Sequence, residues 1–280
     1  MNILVTNDDG IDSPGIWALA EAMSRVGEVL VVAPEGEQTG AGTSVSLRGN
    51  LSIAEASSPV PGVRAYAVGG TPTDCVILGL WRLAQGQTDL VVSGINIGPN
   101  VGYDIPYSGT VMATLQGYFR KIPSVAISLA IREWGEELRF NVAARVAGLL
   151  ASGVKSGRMP TGAIFNTNVP NIPLEQIKGI ATTRAASSSY IRLAQLRGSG
   201  SVNVSMSIGK PASASFPHQV SGRSVPAIEE GTDIWAINSG FISITPLGLD
   251  ITNHSLMPAL AEHVQALESD LLKTELDGDG

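Results

Sequence analysis

The chain has 280 residues, 44% of them hydrophobic and only 15% charged, with 18 Lys and Arg against 25 Asp and Glu for a net charge of -7. A chain of this length buries roughly three quarters of its unfolded surface, which predicts one large domain with an appendage, and so sparse a charge leaves surface for another subunit to cover. The absence of any basic run argues against long nucleic acid as a partner, while small anions remain possible where a cation neutralises them.

In chain order, Met1 leads directly into the β-rich run 2–6, with no basic segment and long apolar stretch, so neither a signal peptide nor a membrane span is expected. Further runs follow at 28–33, 63–68, 89–93, 124–130 and 163–168. Each is bounded by turn residues and several are apolar on both faces, as buried parallel strands are. Helical patterns at 14–26, 73–84, 109–119 and 139–152 lie between them. This alternation predicts an α/β, Rossmann-like, doubly wound and mostly parallel sheet in a three-layer αβα arrangement, with ligands at the carboxyl ends of the strands. The single cysteine, Cys75, excludes an internal disulfide and multi-cysteine metal sites and fits the cytoplasm.

From about residue 177 the texture becomes alternating and rich in Ser and Gly, with runs at 177–183, 190–196 and 202–208 and then 235–238 and 241–245. These predict an antiparallel arm. Leu260, Val264, Leu267, Leu271 and Leu272 recur at helical spacing over 258–273, and the acidic end 275–280 is expected to fray. The expected organisation is a catalytic core over 1–176, followed by a β arm and oligomerisation segment over 177–280.

Four stretches carry chemistry. The run Ile3-Leu4-Val5-Thr6-Asn7-Asp8-Asp9-Gly10 is a buried strand ending in two adjacent carboxylates. Crowded carboxylates repel unless a cation sits between them, and Mg2+ or Mn2+ prefers such oxygen donors; the same residues also suit a turn or an N-cap. Asn96, in Ser93-Gly94-Ile95-Asn96-Ile97-Gly98, has an amide oxygen able to complete that shell, although Asn beside Gly is also ordinary turn chemistry. Ser108, Gly109 and Thr110 precede a helix, where hydroxyls and free N–H groups suit either a phosphate or a plain cap. Thr39 and Gly40 lie past the second strand, where the Thr39 hydroxyl can reach a metal or phosphate, with a flexible loop as the alternative. Gly69 and Gly70 lead into the second helix, with Thr73 expected as its N-cap.

The three histidines, His218, His254 and His263, all fall in the last third of the chain, so a histidine-based zinc site or a Ser-His-Asp triad is poorly supported. Water activation then falls to a metal, with Asp8 or Asp9 accepting the proton.

Taken together, Asn7-Asp8-Asp9-Gly10, Gly70-Thr71-Pro72-Thr73-Asp74-Cys75, Ser93 to Gly98, Tyr107-Ser108-Gly109-Thr110-Val111, Gly231-Thr232-Asp233-Ile234-Trp235 and Ser243-Ile244-Thr245-Pro246-Leu247 resemble the SurE family of 5'/3'-nucleotidases, in the same order over most of the chain. The resemblance implies one divalent metal ion per subunit, held by Asp8, Asp9, Thr39 and Asn96, a nucleoside monophosphate substrate bound near Gly40, Ser108, Gly109 and Thr110, and a homodimer or homotetramer. Where the family usually has serine this chain has Thr39, whose methyl group stiffens χ1. Two other phosphate chemistries are weighed against this. A receiver-like phospho-acceptor domain needs an Asp after the third strand, where Tyr66-Ala67-Val68-Gly69-Gly70 offers none, and a phosphatase with an aspartyl-phosphate intermediate normally carries Asp-x-Asp.

Overall fold

The computed structural model describes residues 1–131, 135–188, 191–193, 206–208 and 228–273. The first half runs β1 (Asn2–Thr6), α1 (Pro14–Ser24), β2 (Glu28–Pro34), β3 (Ile53–Ala56), β4 (Arg64–Val68), α2 (Pro72–Leu78), β5 (Leu90–Ile97), α3 (Gly109–Ala113), α4 (Leu115–Tyr118) and β6 (Ser124–Ala130). The second half runs α5 (Phe140–Lys155), β7 (Ile164–Pro170), β8 (Ile180–Thr182), β9 (Ile191–Leu193), β10 (Met206–Ile208), α6 (Asp233–Asn238), β11 (Ile242–Leu247) and α7 (Met257–Lys273).

Nine strands form one sheet in the order β3-β4-β2-β1-β5-β6-β7-β11-β8. The ladders from β4 through β7 are parallel, whereas β3 pairs antiparallel with β4 and β11 antiparallel with β7. Successive strand residues face opposite ways, so Ile3, Val5, Val92, Ile127 and Leu129 meet α1 and α5 on one face while Leu4, Val32, Val68, Val91 and Cys75 form a core on the other. The chain leaves β1 for β2 on one side and later returns to β5 on the other. The carboxyl ends of β1 and β5 therefore flank the topological switch point, where an open α/β sheet leaves a crevice.

Several local expectations need revision. Strand β3 was not predicted; its side chains are mostly exposed, so no apolar run announces it. The N-cap of α2 is Thr71, not Thr73: Thr71 and Asp74 form a reciprocal capping box, and Asp74 also accepts from the Ser46 backbone N–H at 2.9 Å and its hydroxyl at 2.8 Å. Thr73 instead lies buried in the first turn. Residues 235–238, expected as a strand, belong to helix α6, whose cap Thr232 accepts from the Trp235 N–H at 3.2 Å. The apolar run there is too short for its period to separate helix from strand, and the Thr-Asp start is the signal that does.

Strand β8 pairs parallel with β11, and both lie in the main sheet beyond residue 177. Within the expected arm, β9 and β10 pair antiparallel. The rest of 190–196 and 202–208, like 275–280, lies outside the described residues. The chain divides into two compact units, Met1–Leu247 and Gly248–Gly280. In the second, Leu260, Val264, Leu267 and Leu271 of α7 are exposed. Among the described residues no helix is long and apolar enough to cross a membrane.

Candidate active site

Past β1 the chain must turn sharply to enter α1. The Asn7 side-chain amide closes the turn by donating to the Gly10 carbonyl at 2.8 Å, and the Ile11 N–H donates to the Pro34 carbonyl at 2.8 Å. Gly10 has φ +94°, and a Cβ there would lie 3.0 Å from the carbonyl carbon of Gly36, so glycine is required. Asp8 and Asp9 are thereby held at the carboxyl edge of the sheet.

Asp8 is 4% exposed. The Thr110 hydroxyl donates a short hydrogen bond to its Oδ1, and the Thr110 backbone N–H is a second donor to the carboxyl. Gly109 packs so closely that a Cβ added to it would lie 2.8 Å from the Asp8 Cβ and 2.9 Å from Oδ2. Asp8's carbonyl accepts from the Gln38 N–H at 2.7 Å, which ties the loop after β2 to the same point. Ser108 caps α3: its Oγ accepts from the Val111 N–H at 3.1 Å and so keeps its own proton to donate elsewhere.

Burial pushes the Asp8 carboxyl above its ordinary range against the pull of Thr110, and Glu37 adds to the rise. Asp9 is pushed up to about 7, first by burial and then by the charge of Asp8, with Glu37 adding to the rise and the Ile97 N–H opposing it. Its Oδ2 is buried without a hydrogen-bond partner. The neighbouring charges that act on the pair, Asp8 on Asp9 and Glu37 on both, raise these carboxyls, and an opposite charge between them would offset that repulsion.

On the neighbouring strand, the β5/β6 register shifts between Ser93 and Asn96. Gly94 allows the shift, having φ +137° and a virtual Cβ only 2.3 Å from the Ile127 carbonyl oxygen. Asn96 is 8% exposed and donates from Nδ2 to the Gly98 carbonyl at 2.9 Å, which fixes the amide and leaves its oxygen as an acceptor. Thr39 and Gly40 are exposed. The Thr39 hydroxyl donates to Glu37 at 2.5 Å, not to either aspartate.

The structure thus brings Asp8, Asp9, Gly109 and Thr110 into direct contact or adjacency, with Asn96 one residue from the Asp9-bonded Ile97. Thr39 and Gly40 approach through the Gln38 and Glu37 links. Thr110, expected beside the phosphate, also bonds to Asp8 through its hydroxyl and backbone N–H. Sequence reasoning missed Glu37. It also missed the buried amides that anchor the loop after β5: Asn168 Oδ1 accepts the Asn100 N–H at 2.8 Å, and Asn100 donates to Ser128 Oγ at 2.8 Å. The Asn100 carbonyl accepts from Asn166 at 2.8 Å and Asn168 at 3.1 Å. The signal was present as Asn166 and Asn168, two apart and so on one face of β7, within the polar run Asn166-Thr167-Asn168.

A cavity of about 450 Å³ lies at the opposite end of the sheet, lined by Asn2, Glu28, Arg64, Gln85 and Gln87 among others. It holds none of these groups. Among the described residues no cluster of three or more His, Cys, Asp or Glu could hold a metal. The two aspartates nonetheless fit a hard cation, because Asp9 Oδ2 is an orphaned buried oxygen and Asn96 supplies a neutral one. Water completes such a shell.

The family model described as "Survival protein SurE" matches residues 3–192. A "5'-nucleotidase SurE" of Dehalococcoides mccartyi is 42% identical over 247 residues, 88% of this chain and 88% of that protein. A "5'-nucleotidase SurE 1" of Thermus thermophilus is 42% identical over 262 residues, 93% of this chain and 97% of that protein. Among solved structures, the SurE protein from Aquifex aeolicus superposes with a TM-score of 0.74 at 36% identity, covering 92% of this chain and 98% of that one. With a matching family model over most of its length and relatives this similar along nearly all of it, the chain belongs to the SurE family.

Proposed function

We propose that this chain is a metal-dependent nucleotidase that hydrolyses nucleoside monophosphates to nucleoside and phosphate. The observation that carries the reading is the pair of adjacent carboxylates, Asp8 buried and Asp9 half-buried with one buried oxygen lacking a hydrogen-bond partner, both pushed up, at the switch point of a sheet whose relatives are named 5'-nucleotidases. Asp8 and Asp9 hold one divalent ion per subunit, Mg2+ or Mn2+, with Asn96 and Thr39 as neutral donors. Bound there, such an ion polarises a phosphoryl oxygen and acidifies the attacking water.

The chain's own groups do the rest. Thr110 fixes the Asp8 carboxylate through its hydroxyl. Ser108, with its Oγ proton uncommitted to the Val111 N–H, donates to a phosphate oxygen, and Gly109 and Gly40, lacking Cβ, let the phosphate approach backbone N–H groups. Asp9 is the better acceptor for the water proton, because Asp8 already takes two donors from Thr110.

A phosphate-release screen over mononucleotides with Mg2+, Mn2+ or EDTA tests this directly. Turnover is expected with a divalent ion and is lost in EDTA; undiminished turnover after chelation and dialysis defeats the metal mechanism. With a net charge of -7 and no basic run in the sequence, mononucleotides are expected to be cleaved far better than long DNA or RNA. We place the protein in the cytoplasm as a homodimer or homotetramer built through the segment after residue 177, which light scattering of the intact chain examines; a monomer at micromolar concentration refutes the assembly.

Thr39 has its own test. Thr39→Ser keeps the donor oxygen and is expected to change turnover less than about tenfold, or ~1.4 kcal/mol in barrier. Thr39→Val keeps the shape without the oxygen, so the metal concentration giving half-maximal rate rises. Equal values for the threonine and valine proteins remove Thr39 from the site.

A further inference from the structure

Tyr107 stands 61% exposed, directly before the Ser108 to Thr110 turn. Tyrosine ordinarily buries much of its ring, and a single exposed aromatic on a surface needs no explanation by itself. Here the backbone beneath the ring is fixed on both sides. The Tyr107 carbonyl accepts from the Gly42 N–H at 3.1 Å, and the following Ser108 N–H donates to the Ile105 carbonyl at 3.2 Å. Gly42, with φ +54°, approaches so closely that a Cβ on it would lie 2.9 Å from the Pro106 carbonyl oxygen and 3.8 Å from the Tyr107 Cα. Tyr107 therefore stands where the loop carrying Thr39 and Gly40 meets the turn carrying Ser108. Two residues further on, Gly109 packs on Asp8.

We propose that Tyr107 is the platform on which the nucleobase of the substrate stacks. The inference rests on the nucleotidase reading and deepens it by naming how the base is held. A phosphate held between Ser108 and Asp8 leaves the sugar and base extending outward to the rim. There a rooted ring with a free face offers a flat apolar surface at little entropic cost, since its backbone is already fixed. Stacking reads the π-face that every base presents and not the hydrogen-bonding edge that distinguishes one base from another. The platform consequently accepts all four common bases, with the larger purines held more tightly than pyrimidines. The phenolic hydroxyl takes no part, so phenylalanine serves equally well.

The test compares AMP with ribose 5-phosphate, which presents the same sugar and phosphate without a base. For each protein the readout is the ratio of kcat/KM for AMP to kcat/KM for ribose 5-phosphate, together with the two KM values. The unsubstituted protein is expected to favour AMP by about tenfold or more, the scale that stacking of one base provides. Tyr107→Ala is expected to lose most of that ratio through KM for AMP, while Tyr107→Phe keeps it within about twofold. A Tyr107→Ala protein with an unchanged ratio, one in which both substrates suffer alike, or a Tyr107→Phe protein as impaired as the alanine variant overturns the platform. If the unsubstituted protein does not distinguish AMP from ribose 5-phosphate, the nucleotide reading itself fails, and this is seen before any variant is made. Tyr103, 60% exposed on the same turn, supplies the comparison ring: loss of the ratio in Tyr103→Ala with retention in Tyr107→Ala also overturns the assignment.

Discussion

Asp8→Asn is expected to lower kcat/KM for a nucleoside monophosphate by a factor of about a thousand or more, roughly 4 kcal/mol of transition-state stabilisation. The substitution removes half of the formal negative charge that Asp8 and Asp9 supply to the cation and leaves a neutral amide at a position only 4% exposed. The fold is expected to tolerate it. Asparagine keeps the side-chain shape and an acceptor oxygen for the Thr110 hydroxyl, so the cross-link between the β1 turn and α3 persists. The sign of the stability change follows from the titration. A carboxyl whose folded pKa lies above its unfolded value binds more protons when folded, so metal-free stability falls as pH rises from the unfolded pKa toward the folded one. For Asp9 that window runs from 3.8 to about 7, and Asp8 shifts in the same direction. Above the window the metal-free protein carries uncompensated buried charge. The metal-free Asp8→Asn protein is therefore expected to melt no lower than the parent at pH 8, while the rise in Tm that Mg2+ or Mn2+ gives the parent largely disappears. Retention of more than a tenth of kcat/KM, or a metal-free Tm that drops by many degrees, contradicts this account.

How much of this was legible in the sequence depends on the range of the interaction. The acidic pair at the end of β1 and the alternation of strand and helix are local patterns, and periodicity reads them directly. Asn96, expected in a Gly-rich loop, instead lies inside β5, because the register shift at Gly94 lets the strand continue to Ile97. The bond from Thr110 to Asp8 spans 102 residues and leaves no local trace, because Thr110 in isolation suits a cap as well as a carboxylate. Glu37 was passed over for the same reason. Its hydroxyl partner Thr39 is two residues away, but its charge acts on Asp8 and Asp9 only because Gly10 and Gly36 let the two turns approach. Strand β3 and helix α6 failed for lack of length: one is exposed and four residues long, the other a six-residue helix whose apolar residues cannot fix a period. The joining of β8 and β11 to the main sheet is a pairing decision that their composition, rich in Ser and Thr, does not announce.

Gly109→Ala is expected to cost activity on the order of a hundredfold by adding a single methyl group against Asp8. A Cβ at this position would lie 2.8 Å from the Asp8 Cβ, 2.9 Å from Asp8 Oδ2 and 3.2 Å from Pro72 Cγ. None of the three can yield cheaply. Pro72 is the first residue of α2, behind the Thr71–Asp74 capping box, and Asp8 is held from the other side by Thr110 and through its carbonyl by Gln38. The methyl group must displace either the Asp8 carboxylate or the start of α3, and both movements separate Asp8 from Ser108. Gly109 lies outside the left-handed region, so backbone strain contributes nothing, and the loss comes from the displaced Asp8 together with the narrower approach of the phosphate to the Gly109 backbone. The control is Gly148→Ala, in the middle of α5 with nothing within 4 Å of the added Cβ. That change is expected to stabilise the protein by about 0.5–1 kcal/mol through helix propensity and to leave hydrolysis as it is. Measured side by side, Gly109→Ala should raise the metal concentration for half-maximal rate and lower kcat together, since the displaced group serves both. A Gly109→Ala protein with parental kcat and metal dependence would show that Asp8 can move freely, and the packing of α3 against it would then have no part in building the site.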